Sequence, residues 1–151
     1  MVERRLNVRG IIWHDEKLLA VRHKRKDGSA AAYYAVPGGG LDPLEPMDKG
    51  IARELFEETG VHAKVGRVLF VQQFRSERDG YDEEIEFFFL IENSEDFISI
   101  DLTNTSHGDK ELAVCEFVNP TNVTILPKFL QSIEIAKYIA TPQLPYLYIE
   151  L

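Results

Sequence analysis

The chain reads as an α/β sandwich: a mixed, largely antiparallel sheet with a helix on each side. Three observations predict this. Apolar runs of strand length fill most of the chain, and helical spacing recurs only near residues 46–60 and again from residue 127. The order is therefore strands, helix, strands, helix. At 151 residues, with no repeat and no linker-like stretch, one domain spanning 1–151 can bury its own core.

Arg4 to Trp13 reads as the first strand, with Leu6 and Val8 alternating before Ile11-Ile12-Trp13. His14-Asp15-Glu16 is a polar turn. Lys17 to Arg22, built on Leu18-Leu19-Ala20-Val21, is the second strand, and the two are expected to form a hairpin. Arg22 to Gly28 is the one dense basic run. Tyr33 to Val36 is a short strand feeding a glycine-rich loop. After the first helix, Val65 to Phe74 is a long apolar strand, Ser76 to Gly80 a turn, and Glu84 to Ile91 another strand. In that strand Ile85, Phe87, Phe89 and Ile91 share one face, leaving Glu84, Glu86 and Phe88 on the other. Asn93 to Lys110 is polar and irregular, with a short strand expected near Ile98-Ser99-Ile100. Leu112 to Val118 is a strand broken by Asn119-Pro120. A last helix is expected from Pro127, with Leu130, Ile133, Ala136 and Ile139 as its apolar stripe. The tail Leu144 to Leu151 is too apolar to hang free. It should pack on its own domain or on a partner subunit, so a homodimer is open.

The stretch richest in chemistry is Gly38-Gly39-Gly40-Leu41-Asp42-Pro43-Leu44-Glu45, followed by Arg53-Glu54-Leu55-Phe56-Glu57-Glu58-Thr59-Gly60-Val61. A helix starts near Pro46 to Asp48, with acidic residues at the positive end of its dipole, and Gly60 ends it. Ile51, Ala52, Leu55 and Phe56 recur at helical spacing and can pack on a sheet. Glu54, Glu57 and Glu58 lie three and four residues apart, so their carboxylates converge. Such like-charge pairs cost a helix roughly 0.2–0.5 kcal/mol each. Arg53, four before Glu57, offsets part of that. A hard divalent cation such as Mg²⁺, with Mn²⁺ as a substitute, would resolve the rest, because it prefers carboxylate oxygens and is commonly shared with phosphates. The Gly38 backbone carbonyl is a further candidate ligand, since glycine lets main chain approach closely. An acidic helix face alone is usually just solvated. Here nine positions from Gly39 to Val61 match one spacing, with a chance probability on the order of 10⁻¹⁰ per starting position.

Over those 23 residues the chain resembles the Nudix box, the signature of the Nudix hydrolases, MutT and its relatives. Two positions depart from habit: Leu44 stands where glycine is usual, and Lys49-Gly50 where Glu-Ala or Ala-Ala is usual. Gly50 lowers helix propensity by about 1 kcal/mol against alanine, but neither change removes a chemical group. The resemblance implies the Nudix-type α/β/α sandwich and hydrolysis of a nucleoside diphosphate linked to a group X. It implies metal binding by Glu54, Glu57 and Glu58, with one of these or Glu111 as base, Glu54 the first choice, and Arg53 orienting Glu57. Arg22 would touch substrate phosphate, with Lys24 and Arg25 as weaker candidates. Asp109 stands behind Glu111 as the extra carboxylate. Gly39 and Gly40 would border the substrate, and Tyr34 and Phe74 are candidates to stack on it.

A net charge of −8 argues against a nucleic-acid surface. No apolar run is long enough to span a bilayer, and no targeting or lipidation motif is seen, so a cytoplasmic protein with a small-molecule nucleotide substrate is expected. Cys115 is the only cysteine. The favoured function is a Mg²⁺-dependent nucleotide pyrophosphohydrolase, leaning toward ordinary or oxidised nucleoside triphosphates. The alternatives are a Nudix sensor that binds a nucleotide without cleaving it and, more remotely, a diphosphate isomerase.

Overall fold

Strand β1 (Arg4–Ile11) is the hub of a computed structural model that describes residues 1–151. It pairs in parallel with β7 (Glu83–Ile91) and antiparallel with β5 (Gly38–Gly40). β7 pairs antiparallel with β6 (Val65–Arg75), and β6 pairs in parallel with β10 (Tyr146–Glu150). The order of this first sheet is β10-β6-β7-β1-β5. A second sheet is built on β3 (Lys17–His23), flanked by β2 (Trp13–His14), β4 (Tyr34–Ala35), which pairs with β9 (Ile125–Leu126), and β8 (Leu112–Val118). Five of the eight pairings are antiparallel. The mixed α/β architecture agrees with the sequence, but the strands divide into two sheets rather than one.

The division falls at Ile12. β1, in the first sheet, ends at Ile11, and β2, in the second, begins at Trp13. The expected long hairpin is therefore only its tip. Trp13 and His14 pair with Leu18 and Lys17 around Asp15 and Glu16, both at positive φ as this tight turn demands.

Leu18 and Ala20 belong to the first cluster and Leu19 to the second, which explains the unbroken apolar run in β3: both of its faces are covered. Helix α1 (Met47–Thr59) closes the second cluster with Ile51 and Leu55. Leu130 and Ile135 close the first. The last helix is not continuous. A 3₁₀ turn over Lys128–Gln131 is followed by α3 (Ile135–Ala140), and the break seats Phe129 against Phe70, Phe88 and Tyr148. No strand forms at residues 98–100. Phe97 is buried at the end of a 3₁₀ turn (Ser94–Phe97) and Ile98 is exposed. Helix α2 (Gly108–Glu111) follows. The tail packs on its own chain as β10. No helix is long and apolar enough to cross a membrane.

Candidate active site

The glycine-rich segment is a strand, and its closeness to β1 builds the site. Gly38 has a φ of 143°, and a Cβ there would lie 2.1 Å from the Val8 carbonyl oxygen. Only glycine fits. Its amide donates to Glu58 Oε2 at 3.1 Å, and its carbonyl accepts from Arg9 Nη1 at 3.2 Å. A Cβ on Gly39 would come within 2.6 Å of the Glu54 carboxyl carbon, so that carboxylate rests on the glycine backbone. Helix α1 thus presses Glu54 and Glu58 onto consecutive residues of β5.

Arg53 ties the acidic face together. Its Nε donates to Glu45 Oε1 at 2.7 Å, its Nη1 to Glu54 at 3.0 Å and Glu57 at 3.3 Å, and its Nη2 to the Gly40 carbonyl at 3.2 Å. Arg53 was expected to orient Glu57; Glu45 is the nearer partner. Glu45 also accepts from the Asp42 amide at 3.0 Å, which makes it a brace for the turn before the helix. At the far end, the His107 amide donates to the Glu57 carbonyl at 2.9 Å. A Cβ on Gly108 would sit 2.1 Å from the Glu58 carbonyl, so α2 is locked against the last turn of α1.

Charge is under-compensated here. Burial pushes the Glu58 carboxyl up to about 8; Arg9 opposes the shift, and Glu54 and Glu111 add to it. Burial also raises Glu54, against Arg53 and with help from Glu57 and Glu111. Glu111 ends α2, the helix locked against the last turn of α1. Oxygen donors with surplus negative charge fit a hard divalent cation in their chemistry. As placed, no three acidic or imidazole side chains converge on one point, because Arg53 holds the oxygens of Glu54 and Glu57.

Beside the glycine strand lies a cavity of about 640 Å³. Arg9 belongs to both: it lines the cavity, is held above its ordinary pKa by Glu86 and Glu58 despite burial, and bonds Glu86 Oε1 through Nε and Nη2 at 3.1 and 3.0 Å. Phe74 and Tyr33 supply aromatic wall, and Gln72, Glu84 and Glu86 supply buried polar groups. Of the sequence candidates, Glu54, Glu57, Glu58, Arg53, Gly38, Gly39 and Gly40 come together, and Glu111 lies on the neighbouring helix α2. Phe74 reaches the cavity. Arg22 and Tyr34 do not line it: Arg22 Nε donates to the Ala31 carbonyl at 2.6 Å and lies over the Tyr34 ring, whose hydroxyl donates to Glu116 at 2.5 Å. Lys24 Nζ bonds the Asp109 carbonyl. Arg9, Gln72 and Glu86 are the residues the sequence reading missed. The available signal was the phase of β7, where Glu84 and Glu86 share a face with Phe88; all three are buried.

A NUDIX domain family model matches residues 3–139. Diphosphoinositol polyphosphate phosphohydrolase 3-alpha of Mus musculus is 37% identical over 93 residues, covering 54% of this chain and 56% of that protein. The ADP-ribose pyrophosphatase of Methanocaldococcus jannaschii is 34% identical over 85 residues, covering 56% and 48%. The chain thus spans about half the length of these curated relatives. Among solved structures, the solution structure of the E. coli ORF135 protein has a TM-score of 0.69 at 20% identity, over 93% of this chain and 95% of that one; this likeness is one of fold.

Proposed function

The chain belongs to the NUDIX domain family, and from that premise we propose that it is a Mg²⁺-dependent hydrolase of a nucleoside diphosphate linked to X, with a nucleoside triphosphate as the favoured class. One observation carries the reading: Glu54 and Glu58 are seated on Gly39 and Gly38, Arg9 links that strand to a cavity of substrate size, and burial raises both carboxyls, with Glu54 adding to the shift of Glu58. Glu54, Glu57 and Glu58 would hold the cation, with the Gly38 carbonyl as a further oxygen. When bound, a divalent cation neutralises phosphate charge and acidifies the attacking water. Glu54 is the first choice for proton acceptor: burial raises its carboxyl and so strengthens it as a base, whereas Glu58 is committed to the Gly38 amide. Glu111 is the second. Arg53 fixes Glu45, Glu54 and Glu57 relative to the glycine strand and spends its donors on them. Lowering the electrostatic repulsion between phosphate and nucleophile is the main task of such a site.

The test offers purified protein nucleoside triphosphates, oxidised triphosphates, nucleotide sugars, ADP-ribose and dinucleoside polyphosphates with Mg²⁺ or Mn²⁺. A Glu57→Gln/Glu58→Gln variant is the control. Metal-dependent release of a nucleoside monophosphate, reduced at least 100-fold in the control, is expected. No turnover anywhere, with the same nucleotides still raising Tm, would replace this reading with a nucleotide-binding sensor.

A further inference from the structure

Gln72 presents to the cavity an amide that the chain itself does not engage. It lies on β6, is 6% exposed, lines the cavity, and its side chain makes no hydrogen bond within the chain. Its cross-strand neighbour is Glu86, and the neighbour of Glu86 on β1 is Asn7. Glu86 is half engaged. Oε1 accepts from Arg9 and, at 3.4 Å, from Asn7 Nδ2, whereas Oε2 accepts from nothing. An amide and a carboxylate oxygen that face the cavity without a partner in the chain leave hydrogen-bonding capacity that a ligand can complete. One residue further along each strand face stand Phe74 on β6 and Glu84 on β7, paired across the strands. The Glu84 oxygens are already taken by Asn7 at 2.6 Å and Ser76 at 2.8 Å. The open hydrogen-bonding capacity of this row is thus one acceptor from Glu86 and one acceptor and two donors from Gln72.

We propose that Gln72 and Glu86 Oε2 read the hydrogen-bonding edge of a nucleobase held between the aromatic walls Phe74 and Tyr33. The inference names the substrate class of the hydrolase reading and rests on it for the reaction, though not for the binding. A nucleobase is planar and uncharged, and it shows N–H donors beside acceptors, which is what this pair lacks. A ring bearing many phosphates is the wrong ligand. Glu77, Glu84, Glu86 and Glu150 match Arg9, Arg75, Arg78 and Lys128 in number, so the lining carries no surplus positive charge. Arg9 in addition is committed to Glu86 and to the Gly38 carbonyl. Those contacts place the base-reading pair one side chain from the glycine strand, the right neighbourhood for a phosphate chain leading from base to carboxylates.

The experiment titrates wild type and Gln72→Leu, without divalent cation, with AMP, GMP, CMP, UMP, ribose 5-phosphate and inositol hexakisphosphate. Melting curves are taken for both proteins. At least one nucleoside monophosphate should bind wild type about tenfold or more tightly than ribose 5-phosphate or inositol hexakisphosphate. Gln72→Leu should weaken that nucleotide about tenfold and level the differences among the four bases. Its Tm should equal or exceed that of wild type, because no hydrogen bond inside the chain is lost. A lower Tm with base discrimination intact would make Gln72 structural and overturn the proposal. Binding of ribose 5-phosphate or inositol hexakisphosphate as tight as any nucleotide would overturn it too. The two readings fail separately. Base-dependent binding without any turnover sinks the hydrolase and keeps the base site, whereas turnover that ignores the base in both proteins does the reverse.

Discussion

Glu58 is the carboxyl whose ionisation the fold most opposes, and the sign of its effect can be worked out. Its carboxyl ionises near 4.5 in an unfolded chain and near about 8 when buried. Below the lower value it is neutral in both states and costs nothing. Between the two values the folded state holds the extra proton, so stability falls as pH rises, by up to ~1.4 kcal/mol per pH unit from this group. Burial shifts Glu54 the same way. Melting temperatures taken without divalent cation from pH 5 to 8 should therefore fall in wild type and fall less in Glu58→Gln, which keeps an oxygen for the Gly38 amide. A flat wild-type profile would contradict the burial argument. Adding Mg²⁺ at pH 8 should raise Tm in wild type far more than in the variant. Leu44 gives a second residue-level prediction. It is fully exposed with a φ of 63°, a conformation that costs a side-chain residue roughly 1–2 kcal/mol and that glycine adopts freely. Leu44→Gly should gain on the order of 0.5–1 kcal/mol in chemical denaturation, after the entropy of the unfolded glycine is subtracted. The reason glycine is usual at this position was not visible in the sequence, because a φ angle is not. Glu54, Glu57 and Glu58 were legible because helical spacing alone gathers them. Gln72 and Arg9 were not, because their meaning depends on neighbours across strands; Arg9 meets Glu86 from 77 positions away.

Helix α1 shows what local chemistry does specify. Pro46 precedes it, Gly60 takes the left-handed conformation with a φ of 75°, and its amide donates to the Phe56 carbonyl, so both ends fall where the sequence puts them. Gly50 inside the helix has a packing cause: a Cβ there would meet Leu41 Cδ1 at 2.5 Å, with Glu45 next at 3.1 Å. The glycines of β5 are less legible. Gly38-Gly39-Gly40 has no side chains to alternate, so it reads as a loop, yet it pairs with Asn7, Val8 and Arg9. Gly38→Ala tests this element. The new Cβ would collide with main chain that cannot step aside, at a φ that strains any side chain. A loss of about 3 kcal/mol or more in denaturant unfolding is expected, together with loss of turnover, since the partner of Glu58 moves. An unchanged denaturation midpoint would mean that β5 is a loop after all.

At the scale of the whole molecule, the first sheet is assembled by long-range pairings that no local pattern announces. β1 joins β7 in parallel, and β10, at the end of the chain, joins β6 in parallel. The tail's apolar character predicted that it packs, but not onto which edge. Its anchor is Tyr148, stacked on Phe129 with centroids 3.9 Å apart and planes within 5°, while Phe129 meets Phe70 and Phe88 edge-on. One aromatic chain thus runs from the terminal strand into the core beneath the first sheet, and Glu150 on the same strand reaches the cavity. Tyr148→Ala keeps the backbone ladder and removes the stack, so it should cost about 2 kcal/mol. Deleting residues 144–151 removes the ladder as well, and leaves β6 as a bare edge able to pair with other chains. The deletion should therefore be less stable than Tyr148→Ala and should show higher-mass species in size-exclusion chromatography. If both changes left Tm and elution unchanged, the tail would be an appendage, and the first sheet would end at β6.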